Sequence, residues 1–219
     1  MTLDLFWYFV IILSILAYAV LDGFDLGVGL LHLLTKKDEH RRTFLNAIGP
    51  VWDGNEVWLV IVIGALFAGF PAVYATILSA FYLPVMILLM GLILRAVSIE
   101  FRSKREGASW RRNWDFLFAF GSLVIGFGVG VVLGNLIEGL PLDENYVFQG
   151  TFWSLFTLPS VLIGLMTLSL FAMHGAIYLV MKTEGALHEM IRRKIPLAIS
   201  VFIFFYLTAR FKVFVANCN

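Results

Sequence analysis

Four carboxylic acids stand in apolar surroundings. Asp22 and Asp25 interrupt the run from Leu5 to Leu34, and Asp53 and Glu56 open a second run within Trp52-Asp53-Gly54-Asn55-Glu56-Val57-Trp58. A charged side chain at the centre of a membrane helix costs about 2.5–3.5 kcal/mol on insertion scales, so such a residue is read as functional by default. The i, i+3 spacing places Asp22 and Asp25 on one helical face, and Asp53 and Glu56 likewise. Carboxyls stepped inward along a span relay protons or hold a small cation, and spacing alone does not separate the two. Each acid also has a plainer reading. Asp22 and Asp25 can fix a helix pair by hydrogen bonding, and an acid in a first helical turn, such as Asp53, gains about 0.3–1 kcal/mol from the helix dipole.

The remaining polar residues narrow the chemistry. Arg95, in Leu92-Ile93-Leu94-Arg95-Ala96-Val97, either snorkels to the interface or meets a buried anion. Too little histidine or cysteine surrounds the acids for a metal site, and Cys218 is the single cysteine. His32, His40, His174 and His188 offer no pair at matched depth for a haem, and His174 reads as a hydrogen-bonding residue in helix packing. No catalytic residue is identified in the chain.

Membrane helices must position these groups, because 60% hydrophobic and 14% charged residues with a mean hydropathy of +0.89 do not describe a soluble domain. Apolar runs of bilayer length at 5–34, 51–69, 73–98, 115–137, 157–181 and 195–211 predict an all-α, polytopic bundle of six transmembrane helices in one domain, 1–219. The second and third runs meet in a tight turn at Gly69-Phe70-Pro71. The segments 35–49, 99–114, 138–156 and 182–194 read as longer polar loops.

Every Lys and Arg except Arg95, Arg210 and Lys212 lies in the first, third and fifth connections, whereas the 138–156 loop is acidic. The positive-inside rule therefore predicts a multi-pass protein with its N-terminus outside. A formal net charge of +1, with cations sorted by loop, excludes a nucleic-acid surface. The first run lacks the features of a cleaved signal and is expected to be retained. The tail 211–219 is atypical. With Arg210 and Lys212 on the outer side and no further helix, the chain reads as truncated from a longer protein.

Asp22-Gly23-Phe24-Asp25-Leu26-Gly27-Val28-Gly29, Trp52-Asp53-Gly54-Asn55-Glu56-Val57-Trp58 and Phe101-Arg102-Ser103-Lys104 together resemble subunit II of cytochrome bd-type quinol oxidases. The likeness continues through Gly64-Ala65-Leu66-Phe67-Ala68, Gly134-Asn135 and His174-Gly175-Ala176-Ile177-Tyr178-Leu179. It implies a heterodimer of two pseudo-symmetric membrane subunits that oxidises quinol and reduces dioxygen to water. Haem b, haem d and the quinol site would belong to the partner, subunit I, and no cofactor to this chain alone. A small single-span accessory subunit, lipid and quinone are further implied partners, and the cytoplasmic (inner) membrane of a bacterium or archaeon the location.

The resemblance also implies a proton pathway through Asp25 and Asp53, which Asp22 and Glu56 extend by their spacing. Arg95, with Trp52 and Trp58, is expected near the partner and its haems. About nine spans are usual in that family. A proton- or cation-coupled secondary transporter is the rival reading, but it predicts broken helices in inverted repeats, and six spans here do not display them. A structural scaffold would tolerate Asp25→Asn and Asp53→Asn.

Overall fold

A computed structural model describes residues 3–216, with side chains through 212. Among these residues are nine α-helices: α1 (Leu3–Leu31), α2 (Asp38–Ile48), α3 (Trp52–Gly69), α4 (Pro71–Ala80), α5 (Tyr82–Phe101), α6 (Ala108–Glu138), α7 (Leu158–Lys182), α8 (Gly185–Arg192) and α9 (Ile195–Ala216). Six stretches are long and apolar enough to cross a membrane, as expected: Leu3–Leu34, Trp52–Gly69, Tyr82–Lys104, Ala108–Glu138, Leu158–Lys182 and Gly185–Lys212.

The departures from expectation have local causes. The run at 73–98 is not one helix: it breaks at Phe81 between α4 and α5. Pro84 has no N–H for the Ala80 carbonyl and its ring collides with that carbonyl, so an unbroken helix is disfavoured there. The 35–49 and 182–194 connections contain short helices, α2 and α8, and α6 begins at Ala108 inside the expected loop 99–114. The 138–156 segment holds one antiparallel bridge, between Leu142 and Phe148, and one 3-10 turn, Phe152–Leu155. In the tail, α9 continues through Ala216, so Arg210 and Lys212 lie on a helix. Cys218 falls outside the described residues.

The bundle is centred on α1, α6 and α7, with α3 against α1, α5 against α6 and α9 against α7. Close approach depends on missing side chains. A Cβ on Gly27 of α1 would overlap the Phe171 carbonyl of α7, and one on Gly175 of α7 would overlap the Gly27 main chain. Such small-residue contacts let helix backbones touch where no hydrophobic drive exists between helices. Similarly, a Cβ on Gly121 of α6 would stand 2.7 Å from the Gly91 carbonyl oxygen and 3.2 Å from the Arg95 backbone nitrogen of α5. That absence brings α5 in at the level of its arginine.

At the end of the bundle carrying most cations, α2 and α8 are amphipathic. They turn Phe44, Leu45 and Ile48, and Leu187 and Ile191, onto Val28, Phe118, Ala176 and Leu179 of the long helices. At the other end Gly139 (φ 90°) closes α6, and the Thr157 side chain accepts from the Ser160 N–H at the start of α7. A satellite core of Ala80, Phe81 and Leu155 ties the α4–α5 break to the 3-10 turn.

Candidate functional site

The buried face of α1 presents Asp22 and Asp25, both fully buried. Arg95 of α5, also fully buried, donates from Nη2 to Oδ1 of Asp22 at 2.6 Å. The same nitrogen lies 3.9 Å from Oδ2 of Asp25, and Nη1 lies 3.6 Å from Oε2 of Glu56 on α3. Asn55, one residue earlier on α3, donates from Nδ2 to Asp25 Oδ2 at 2.8 Å and to the Leu21 carbonyl at 3.2 Å. Three helices thus converge on one guanidinium. Arg95 does not snorkel; it meets the buried anion.

One guanidinium faces three carboxyl groups. Unpaired buried charge is strongly disfavoured, so a neutral cluster carries two protons among the three carboxyls. Several of its atoms are buried and make no hydrogen bond among the described residues: Asp22 Oδ2, Asp25 Oδ1, Glu56 Oε2, and Nε and Nη1 of Arg95. The carboxyl oxygens so placed can take up a proton without first breaking a bond, whereas the guanidinium stays charged and only donates. Glu56 is the edge of the cluster, its side chain 21% exposed against 0% for Arg95.

The expected site residues do not all meet. Asp22, Asp25, Glu56 and Arg95 come together. Asp53 is exposed on the outer side of α3, in its first turn, with no ion-paired partner among the described residues. Trp58 packs against the Tyr18, Leu26, Ile125 and Phe171 core, and Trp52 is half-buried. Arg95 itself offers no surface to a partner, because it is enclosed by this chain.

A second ionic cluster, absent from the sequence reading, lies at the basic end. Asp115 of α6, only 1% exposed, accepts from Nε2 of His32 at 2.6 Å, from Nε and Nη2 of Arg102 at 2.5 and 3.2 Å, and from Nη1 of Arg41 at 3.0 Å. Arg102 also donates to Asp38 at 2.6 Å, and Arg111 to the other Asp38 oxygen at 2.9 Å. All four carboxylate oxygens are engaged. The signal for this cluster was Asp115 itself, an acid at the head of an apolar run, opposite the Arg102 of the Phe-Arg-Ser-Lys stretch.

His32 is committed to Asp115, His40 Nδ1 faces the Thr35 hydroxyl at 3.2 Å, and His188 Nδ1 faces the Val180 and Thr183 carbonyls. His174 meets the Phe24 ring edge-on at 5.8 Å, packing through its ring.

The family model for cytochrome bd terminal oxidase subunit II matches residues 3–216. Cytochrome bd-I ubiquinol oxidase subunit 2 of Escherichia coli is 40% identical over 187 residues, 83% of this chain and 49% of that protein. Cytochrome bd ubiquinol oxidase subunit 2 of Bacillus subtilis is 36% identical over 188 residues, 85% of this chain and 56% of that protein. The chain therefore spans about half the length of the curated relatives it matches. The structure of bd oxidase from Geobacillus thermodenitrificans shares the fold, with a TM-score of 0.82 over 97% of this chain and 66% of that chain at 19% identity. On the extent of these matches, the chain belongs to the cytochrome bd terminal oxidase subunit II family.

Proposed function

We propose that this chain acts as the second, haem-free subunit of a quinol:oxygen oxidoreductase. In that role it supports a haem-bearing subunit I and delivers protons toward the oxygen-reducing site. The observation that carries the proton role is the buried cluster of Asp22, Asp25, Glu56 and Arg95, with three carboxyls around one cation and unpartnered atoms on each. A scaffold would be expected to pair its buried charges fully, as Asp115 is paired.

The residues divide into steps. Asp53, exposed on α3, collects protons, and Glu56, one turn further along the same helix, passes them to Asp25. Asn55 holds the Asp25 carboxyl toward Arg95. Arg95 stabilises the anion left when a proton moves on. In this reading the basic connections face the cytoplasm and the N-terminus lies outside, in the cytoplasmic (inner) membrane of a bacterium or archaeon. Haem b and haem d belong to subunit I, where they supply the electrons that reduce dioxygen; quinol is the substrate of the complex. Reducing one dioxygen to two waters takes up four protons, which a route of this kind draws from one side of the membrane. The surface of α3 that carries the half-buried Trp52 and Trp58, leaving Asp53 open to water, is the proposed partner side. A small single-span subunit, lipid and quinone complete the assembly.

The test is to purify the chain with its native partner and record a reduced-minus-oxidised spectrum together with oxygen consumption. Haem b and d signals with quinol-driven oxygen uptake are expected. A complex without those signals would sink the oxidase reading.

A proton- or cation-coupled transporter remains the second reading, favoured by the same surplus of carboxyl groups. It predicts substrate-dependent ion flux in vesicles without oxygen uptake.

A further inference from the structure

Tyr18 is a buried titratable group that the proposed route does not use. It is 4% exposed and belongs to a nest of Leu26, Ile125 and Phe171. Its hydroxyl makes no hydrogen bond among the described residues, and an isolated buried hydroxyl is destabilising. A phenylalanine would fill the same space without that penalty.

The hydroxyl has a complement close by. Tyr18 is one turn from Asp22 on the same face of α1, and the charged or titratable groups around it are Asp22, Arg95 from α5 and Glu56 from α3. What α6 and α7 add to the cluster around it is apolar: Ile125 and Val129, and Phe171 and Leu170. Asp22 Oδ1 is taken by Arg95, whereas Asp22 Oδ2 is buried and unpartnered. A neutral phenol is a donor at physiological pH and Asp22 Oδ2 is an acceptor. Ser14, the next polar residue along this face, does not compete, because its hydroxyl donates to the Val10 carbonyl at 2.7 Å.

We propose that Tyr18 is a positioning residue of the carboxyl cluster: its hydroxyl, not bonded to Asp22 in the structure, turns to donate to Asp22 Oδ2 and holds Asp22 as the fixed anionic partner of Arg95, which leaves the mobile protons to Asp25 and Glu56. The division of labour rests on the proton-delivery reading above. It gives the cluster one ion pair that stays ionised and two carboxyls that exchange.

The experiment uses Tyr18→Phe in the complete oxidase with its partner subunit, beside Asp25→Asn and the double variant Tyr18→Phe/Asp22→Asn. Oxygen consumption, haem content and the infrared spectrum of carboxyl groups at neutral pH are measured. Tyr18→Phe is expected to keep its haem, to lose turnover by roughly fivefold, about the worth of one hydrogen bond, and to show a new protonated-carboxyl band from Asp22 at the expense of that of Asp25 or Glu56. That band should be missing from the double variant. If Tyr18→Phe shows neither the band nor a turnover change while Asp25→Asn is inactive, the role of Tyr18 is wrong and proton delivery stands. A loss of haem without the band makes Tyr18 a packing residue and overturns the proposal too. Full turnover in Asp25→Asn defeats the delivery reading itself, whatever Tyr18→Phe does.

Discussion

The two buried ionic clusters use the same residue types to opposite ends. Around Asp115, three cationic or histidine side chains converge on one carboxylate, and Arg102 and Arg111 take both oxygens of Asp38 as well. Around Arg95, three carboxyls share one guanidinium and leave oxygens without partners. The first arrangement joins the ends of α1, α5 and α6 and the start of α2; all four of its carboxylate oxygens are engaged, and the atoms left without a partner, His32 Nδ1 and Arg111 Nε, are on the cationic side. In the second, a proton has a choice of sites. Saturation separates a charge that holds structure from one suited to transfer.

That contrast can be broken by substitution. Asp115→Asn should have the largest effect, because it leaves buried His32 and Arg102, with Arg41, facing a neutral amide. Removing one partner of a buried ion pair costs about 3–5 kcal/mol, so folded, membrane-inserted protein is expected to fall sharply in a detergent thermal-stability assay. Normal yield and stability would mean that the cluster does not hold the bundle together. Asp25→Asn should do the reverse, with haem content near normal in the assembled complex and oxygen consumption down by roughly a hundredfold or more, the scale of a lost proton-transfer group. A stability loss matching that of Asp115→Asn would erase the distinction.

Asp53→Asn tests the entrance. Turnover should drop by roughly threefold at unchanged haem content, since an exposed collector can be bypassed by water more easily than a buried relay; an unaltered rate would remove Asp53 from the route. Asn55→Ala should be the mildest, about twofold in turnover, because it removes one hydrogen bond to Asp25 and no charge. A larger loss than in Asp53→Asn would make Asn55 more than an orienting donor.

The unequal legibility of the two clusters in the sequence has a physical origin. Asp22, Asp25, Glu56 and Arg95 stand out because each interrupts an apolar run, and the six spans are visible for the same reason. Asp38, Arg41, Arg102 and Arg111 lie in segments whose polarity already had an explanation, namely orientation in the membrane, so the pairing of Arg41 and Arg102 with Asp115, and of Arg102 and Arg111 with Asp38, left no separate mark. The helices α2 and α8 were hidden likewise: their apolar positions, Phe44, Leu45 and Ile48, and Leu187 and Ile191, repeat at helical spacing within stretches too polar to cross a membrane. The break at Phe81 was obscured because Pro84 sits among residues apolar enough to suggest one continuous span. That Asp53 would stand apart from Glu56, three residues away, was not deducible, because it depends on which arc of α3 rests on α1.

The pairing of Asp22 with an arginine more than seventy positions later in the chain has a consequence for biogenesis. Ribosomes deliver the N-terminal helix first, so Asp22 and Asp25 emerge into the translocon long before their cation exists. The stretch is apolar enough to enter lipid by itself, so until α5 is made its two acids are held at least cost in the protonated form, and the ion pair is set only when Arg95 arrives.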